Sequence, residues 1–286
     1  MANYGIATDS LPMFLGSECV ITLVKTIRLK YRDIQKDIKY HIDFASNTTQ
    51  ERLNDFEKKG WIDVAESVIP LDDLFVFVGV QSLQVNNTDA SLNIVRFRHK
   101  GGKTQARIAV TSRESLIRER YNNLDNYVEI FIFRRLSVVT PNQGYGVHIY
   151  DSQGNLKYKD GLNLLTNIRK IPVYFNDLSN VEPSLFSPPP FSEEKNPQLK
   201  NLGTNIAVLQ STNCIRTECY LSGRNWGYYG DKWTPSLKKD GTVKLSRVDS
   251  FFISGIKRSY PSYAKGGAYI DNVICSDHII VIDKPA

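Results

Sequence analysis

Apolar and polar residues alternate with a period of two along much of this chain, the spacing of strands whose two faces meet different surroundings. The clearest instance lies at the midpoint, where Tyr145, Val147 and Ile149 alternate with Gly146, His148 and Tyr150. Asp151-Ser152-Gln153-Gly154 follows with turn chemistry, because an Asx side chain closes a turn and glycine takes positive φ. Leu156 and Tyr158 begin the return, so the stretch predicts a β-hairpin around which the rest of the chain is read.

The N-terminus carries a similar phrase, Tyr4-Gly5-Ile6-Ala7-Thr8-Asp9-Ser10. An offset of 141 residues sets Tyr4 on Tyr145, Gly5 on Gly146, Leu15 on Leu156, Leu23 on Leu164, Ile27 on Ile168 and Arg28 on Arg169. Being close to half of 286 residues, the offset reads as a tandem duplication of one β-rich unit. The expected fold is all-β, with two β-sandwich-like domains at 1–140 and 141–286.

Taken in order, Cys19 to Leu29 is a long β-branched run and predicts a strand; Ile38, Tyr40 and Ile42 alternate in the next. Thr48-Thr49-Gln50-Glu51 has the spacing of a capping box and Gly60 a stop, predicting one short helix in the first domain. Leu74 to Val80 is a continuous apolar run, the mark of a strand buried on both faces. Lys100-Gly101-Gly102-Lys103 reads as a turn between two strands, and Tyr127 to Phe133 closes the first unit. Asn142-Gln143-Gly144 marks the boundary.

The second unit contains a proline-rich insertion at 183–200, where Pro188-Pro189-Pro190 excludes a central strand. Its rings, Phe186 and Phe191, are read as contacts to a neighbouring subunit or protein, since a lone solvated loop would leave them bare. Strands resume at 205–209 and 214–221. An aromatic loop at 224–233 then offers Trp226, Tyr228, Tyr229 and Trp233 either to a sugar or protein partner or as a cover for the end of a sandwich. A final strand pair spans 267–275 and 278–283.

Composition narrows the class. A hydrophobic content of 41% with 23% charge is that of a folded chain. No apolar run is long enough for a membrane helix, and the first residues lack signal-peptide character, which predicts folding in the cytoplasm. The net charge of +6 is spread evenly, with 19 basic and 17 acidic residues before position 141, so no dedicated nucleic-acid binding is expected. Cys19, Cys214, Cys219 and Cys275 are too few for a disulfide scaffold. Four thiolates could hold zinc, but strand positions and the lack of a second close pair favour buried thiols, and no metal or cofactor is expected.

Catalytic signals are weak throughout the sequence. Gly102-Lys103-Thr104 imitates the end of a phosphate loop, yet Phe97 stands where its first glycine is needed. His41, His99, His148 and His278 are scattered, without a metalloprotease pattern or a glycine-framed serine. Glu193-Glu194 are adjacent and read as solvated charges rather than an acid/base pair. The chain is not expected to be an enzyme.

The phrase Tyr145-Gly146-Val147-His148-Ile149-Tyr150-Asp151-Ser152-Gln153-Gly154-Asn155-Leu156, with the strand around Ile168 to Val173 and the closing Ile279-Ile280-Val281-Ile282-Asp283, resembles minor tail and tail-tip proteins of long-tailed bacteriophages. The first half resembles them less, since it lacks the turn glycine and carries Pro12 and Met13 nearby. What the resemblance implies is a structural component of the phage tail, at or near its tip. It further implies assembly in the host cytoplasm, residence in the virion, other tail proteins as partners and a symmetric homo-oligomer. The alternative is a carbohydrate- or receptor-binding module that uses the stretch 224–233 against a host surface glycan or receptor.

Overall fold

The computed structural model describes residues 20–30, 61–80, 82–85, 88–111, 127–136, 147–150, 153–154, 156–159, 161–176, 191–211, 214–222, 225–256 and 269–285. Its first strands are β1 (Val20–Lys30), β2 (Trp61–Ala65), β3 (Leu74–Val78), β4 (Ser82–Val85), β5 (Thr88–Lys100), β6 (Lys103–Thr111) and β7 (Tyr127–Leu136). There follow β8 (His148–Tyr150), β9 (Leu156–Lys159), β10 (Arg169–Pro172), β11 (Ile206–Leu209), β12 (Cys214–Ser222), β13 (Asn225–Leu237), β14 (Val243–Ile256), β15 (Tyr269–Cys275) and β16 (His278–Asp283). Two 3-10 turns, Leu71–Asp73 and Pro197–Leu199, are the helical elements among the described residues. The chain is mainly β with several antiparallel sheets, as expected. The helix expected at 48–60, and the N-terminal phrase at 4–10, lie outside the described residues.

Six strands form the central sheet in the order β1-β7-β3-β11-β16-β10. The division expected at residue 140 falls between β7 and β8, yet strands from both sides of it share this one sheet. Its order repeats: in each half the first strand pairs with the last, the last with a middle one, and the two middle strands, β3 and β11, meet through Val78↔Val208 and Phe77↔Leu209.

The sheet closes on itself. Leu23 N–H donates to Asn163 O at 2.7 Å and Leu165 N–H to Ile21 O at 2.9 Å, so Thr22 and Leu164 form an antiparallel bridge on the free edge of β1. Five residues later Arg169 pairs with Val281 at the opposite end of the sheet. Five extended steps span at most about 17 Å, whereas five strand spacings across a flat sheet need about 24 Å. The six strands therefore curl into a barrel that the segment 163–165 closes.

Side-chain alternation confirms the closure. Ile21, Leu23, Phe75, Phe77, Phe131, Phe133, Leu165, Ala207, Leu209, Ile280 and Ile282 pack into one cluster drawn from both halves, the barrel interior. The rings of Phe77 and Phe133 meet edge to face at 5.6 Å. The residues between them point outward: Val76, Val78, Val128, Ile130 and Ile132 pack with Val64, Ile94, Ala106 and Ile108 of the four-stranded sheet β2-β6-β5-β4. Ile206, Val208, Ile279 and Val281 pack with Cys214, Trp233, Leu237, Val243 and Leu245 of the second sheet, β14-β13-β12-β15. Each half-barrel is thus covered by its own sheet. A bulge between Leu23 and Lys25 puts Leu23 inside but Ile27 and Leu29 outside, because one inserted residue exchanges the faces.

One buried side chain stitches the covering sheets together. The Gln210 side chain accepts from Ile94 N–H on β5 at 3.2 Å and donates to Pro235 O on β13 at 3.0 Å. Its own N–H donates to Val76 O of the barrel at 2.8 Å. Three layers meet at this amide.

Strands β8 and β9 pair with each other as a separate two-stranded sheet, with Gly154 at φ 84 in the turn. The expected hairpin is present, but it forms a sheet of its own and is not what the fold is organised around.

Candidate interaction surface

The six aromatic residues expected to make contacts fall into three groups. Phe186 lies outside the described residues. Phe191 and Trp233 are buried, at 7% and 4% exposure, within the core cluster that covers the second half-barrel. Neither offers a free ring to a partner. Trp226, Tyr228 and Tyr229 lie on β13, opposite Leu221, Cys219 and Glu218 of β12.

The stretch 224–233 is consequently not a loop: from Asn225 it is a strand paired on both edges, by β12 and by β14. Its glycines and Asp231-Lys232 suggest a turn locally, but thirteen residues paired with β14, across one register shift after Lys232, outweigh that preference, as strand context commonly does.

The end of the proline-rich insertion folds back onto its own chain. Phe191 bridges Phe175, and Asn196, 1% exposed, supplies both halves of its amide to the segment that follows β10. Its Oδ1 accepts from Tyr174 N–H at 2.7 Å, and its Nδ2 donates to Tyr174 O and Ser192 O, both at 2.8 Å. Lys238 pairs with Glu193 at 3.0 Å, so this glutamate is half of an ion pair rather than of a carboxylate dyad.

The turn after β5 is a hairpin turn and not a phosphate loop, since Gly101 and Gly102 at φ 61 and 74 connect two strands. Beside it lies a polar face. Lys103 pairs with Asp63 at 2.8 Å and Glu66 at 2.7 Å; Gln105 donates to Asp63 at 2.7 Å and accepts from Arg98, whose guanidinium lies 3.9 Å from the centre of the Trp61 ring. The hydrogen bonds from Lys103 and then Gln105 hold the Asp63 carboxyl below the usual carboxylate range. The hydrogen bonds to Asp63 and then Glu66 raise the Lys103 ammonium above its ordinary value. Every charge in this group is satisfied by a neighbour, which is how a solvated sheet face is built.

The histidines do not converge. His99 Nε2 meets Ile69 O at 2.8 Å, His148 stacks edge to face with Tyr150, and His278 bonds Asp277; His41 lies outside the described residues. Cys214 and Cys219 sit on one strand, five residues or about 17 Å apart, too far to share an ion. Among the described residues no group of three or more His, Cys, Asp or Glu is placed to hold a metal ion, and no helix is long and apolar enough to cross a membrane.

Alternation did not reveal which apolar residues remain outside. Val147, just before β8, and Tyr150, its last residue, are 53% and 52% exposed, while Leu156 across the hairpin is 4% exposed. Leu156 anchors the hairpin, and the opposite strand presents two large apolar side chains to solvent. Compared with protein-family models, curated proteins and solved structures, the chain matches none.

Proposed function

We propose that the chain is a structural subunit of a bacteriophage tail, at or near the tip, and that it acts by shape-matched contact without turnover of a substrate. The observation that carries the reading is the hairpin β8–β9, whose first strand lies within the Tyr145-to-Leu156 phrase and which, with the residue before it, leaves Tyr150 and Val147 exposed. Exposed apolar side chains on a hairpin favour a protein contact, and in a ring of copies each such contact recurs by symmetry. Its partners are other tail proteins and further copies of itself.

The duplication belongs to the same proposal. Two runs of strands with the same first-last-middle order, each covered by a four-stranded sheet, support descent from one repeated unit. The bridge at Thr22↔Leu164 joins segments that the 141-residue offset relates, as a twofold arrangement requires near its axis.

The test is location. Immunogold electron microscopy with antibody to this chain should label the tails of purified particles, and Val147→Asp with Tyr150→Ala should reduce incorporation while the isolated protein still folds. Purified particles without the chain would end the proposal.

A further inference from the structure

The barrel interior is divided between the halves by size as well as by strand. The first half supplies Phe75, Phe77, Phe131 and Phe133 with Ile21 and Leu23; the second supplies Leu165, Ala207, Leu209, Ile280 and Ile282. Four rings thus face one alanine and four aliphatic side chains. Two first halves facing each other would crowd twice as many rings into the space, and two second halves would leave it underfilled; interiors tolerate neither. Each half fits the other half and not itself.

Within the barrel, the backbone joints between the halves are narrow. Strands β3 and β11 are in register at two pairs, and the closing joint is the single bridge Thr22↔Leu164. Within the first half, by contrast, β1 and β7 pair from Val20↔Leu136 to Lys30↔Tyr127. Each half is also one contiguous run of chain, β1 to β7 and β8 to β16.

We propose that the inner face of each half-barrel is an interaction surface between copies of this chain: the first half of one molecule closes with the second half of another, giving a reciprocal dimer. Both barrels of that dimer have the same interior as the monomer, so the exchange is decided by concentration alone. Being parts of one chain, the two halves stand at an effective concentration on the order of 1 mM. Dilute chains close on themselves, and crowded ones, as in an assembling particle, exchange. The inference stands on the barrel and is independent of the tail reading.

Thr22 and Leu164 face each other as a non-hydrogen-bonded antiparallel pair, whose Cα separation of about 4.5 Å falls within disulfide range. Chains carrying Thr22→Cys and chains carrying Leu164→Cys are unfolded, mixed, refolded together and oxidised, and disulfide-linked peptides are identified by mass spectrometry. At about 100 μM a dimer linked 22 to 164 should hold roughly one chain in ten, rising several-fold toward 1 mM. The double variant Thr22→Cys, Leu164→Cys, refolded dilute, should link 22 to 164 within one chain. If the double variant closes while the mixture yields no 22-to-164 link at either concentration, exchange does not occur. A double variant that fails to close removes the joint itself and the proposal with it.

Discussion

Replacing Ala207 by leucine and Phe77 by alanine, singly and together, examines whether the two halves share one interior. Both residues are buried, at 0% and 1% exposure, and both belong to the interior cluster, one from β11 and the other from β3. Leu209 stands opposite Phe77, so Ala207 is its diagonal neighbour on the same face, about 7 Å away and within reach of a ring. Ala207→Leu adds three carbons to a filled space and should cost about 1–3 kcal/mol. Phe77→Ala removes a ring that also packs on Phe133 at 5.6 Å, for a loss of about 3–5 kcal/mol. In the double variant the added carbons enter the space the ring has left, so its loss should fall short of the sum by at least about 1 kcal/mol. Equilibrium urea unfolding read by far-ultraviolet dichroism gives the three differences, provided each variant unfolds in one transition. Costs that add to within about 0.5 kcal/mol would mean that the residues do not share a space and would refute the common interior.

Other expectations follow from single contacts. Gly241→Ala would set a Cβ 2.7 Å from Gly203 O and 2.8 Å from Gly203 N at a φ of 80, so it should cost more than about 2 kcal/mol and lower the melting temperature by about 5 °C or more. Gly154→Ala, also at positive φ but with open space around its Cβ, should cost only about 1 kcal/mol in the same assay. Gln210→Ala strands the Ile94 N–H and the Pro235 carbonyl and should destabilise by about 2–4 kcal/mol in urea unfolding, whereas an effect under about 0.5 kcal/mol would mean that water replaces the amide. Asp63 is held below its ordinary value, so its contribution is present above the unfolded value near 3.8 and is lost as pH falls through the depressed one. Asp63→Asn should therefore flatten the fall in melting temperature over that acid range, and an unchanged slope would remove Asp63 from the account.

The sheet content was legible because most strands carry their pattern locally. Leu74 to Val78 reads as a strand buried twice over, and it is one: Leu74, Val76 and Val78 face the covering sheet while Phe75 and Phe77 face the barrel. The barrel itself was not legible, since its closure depends on Thr22 meeting Leu164 across the molecule and no local preference encodes that pairing. The bulge beside Val24 is hidden for a similar reason: an unbroken β-branched run does not show where its faces exchange.

For contact residues, ring content was a poor guide. Phe191 follows three prolines and suggests an exposed anchor, yet its bridge to Phe175 carries it into the core; Trp233 lies in a stretch rich in glycine and polar residues, yet it is an inward position of a long strand. Val147 and Tyr150 differ from buried strand residues in their exposure, 53% and 52%, which is a property of the fold rather than of the residues.

Amide hydrogen exchange at the two joints tests the closed barrel most directly. The Leu23 and Leu165 N–H groups donate across one joint and the Gln210 N–H across the other. All three should exchange far more slowly than in an unstructured chain, because each opens only with the barrel. Exchange of Leu23 and Leu165 at the unstructured rate, with β7 and β3 still protected, would contradict the account and leave two half-sheets that never close.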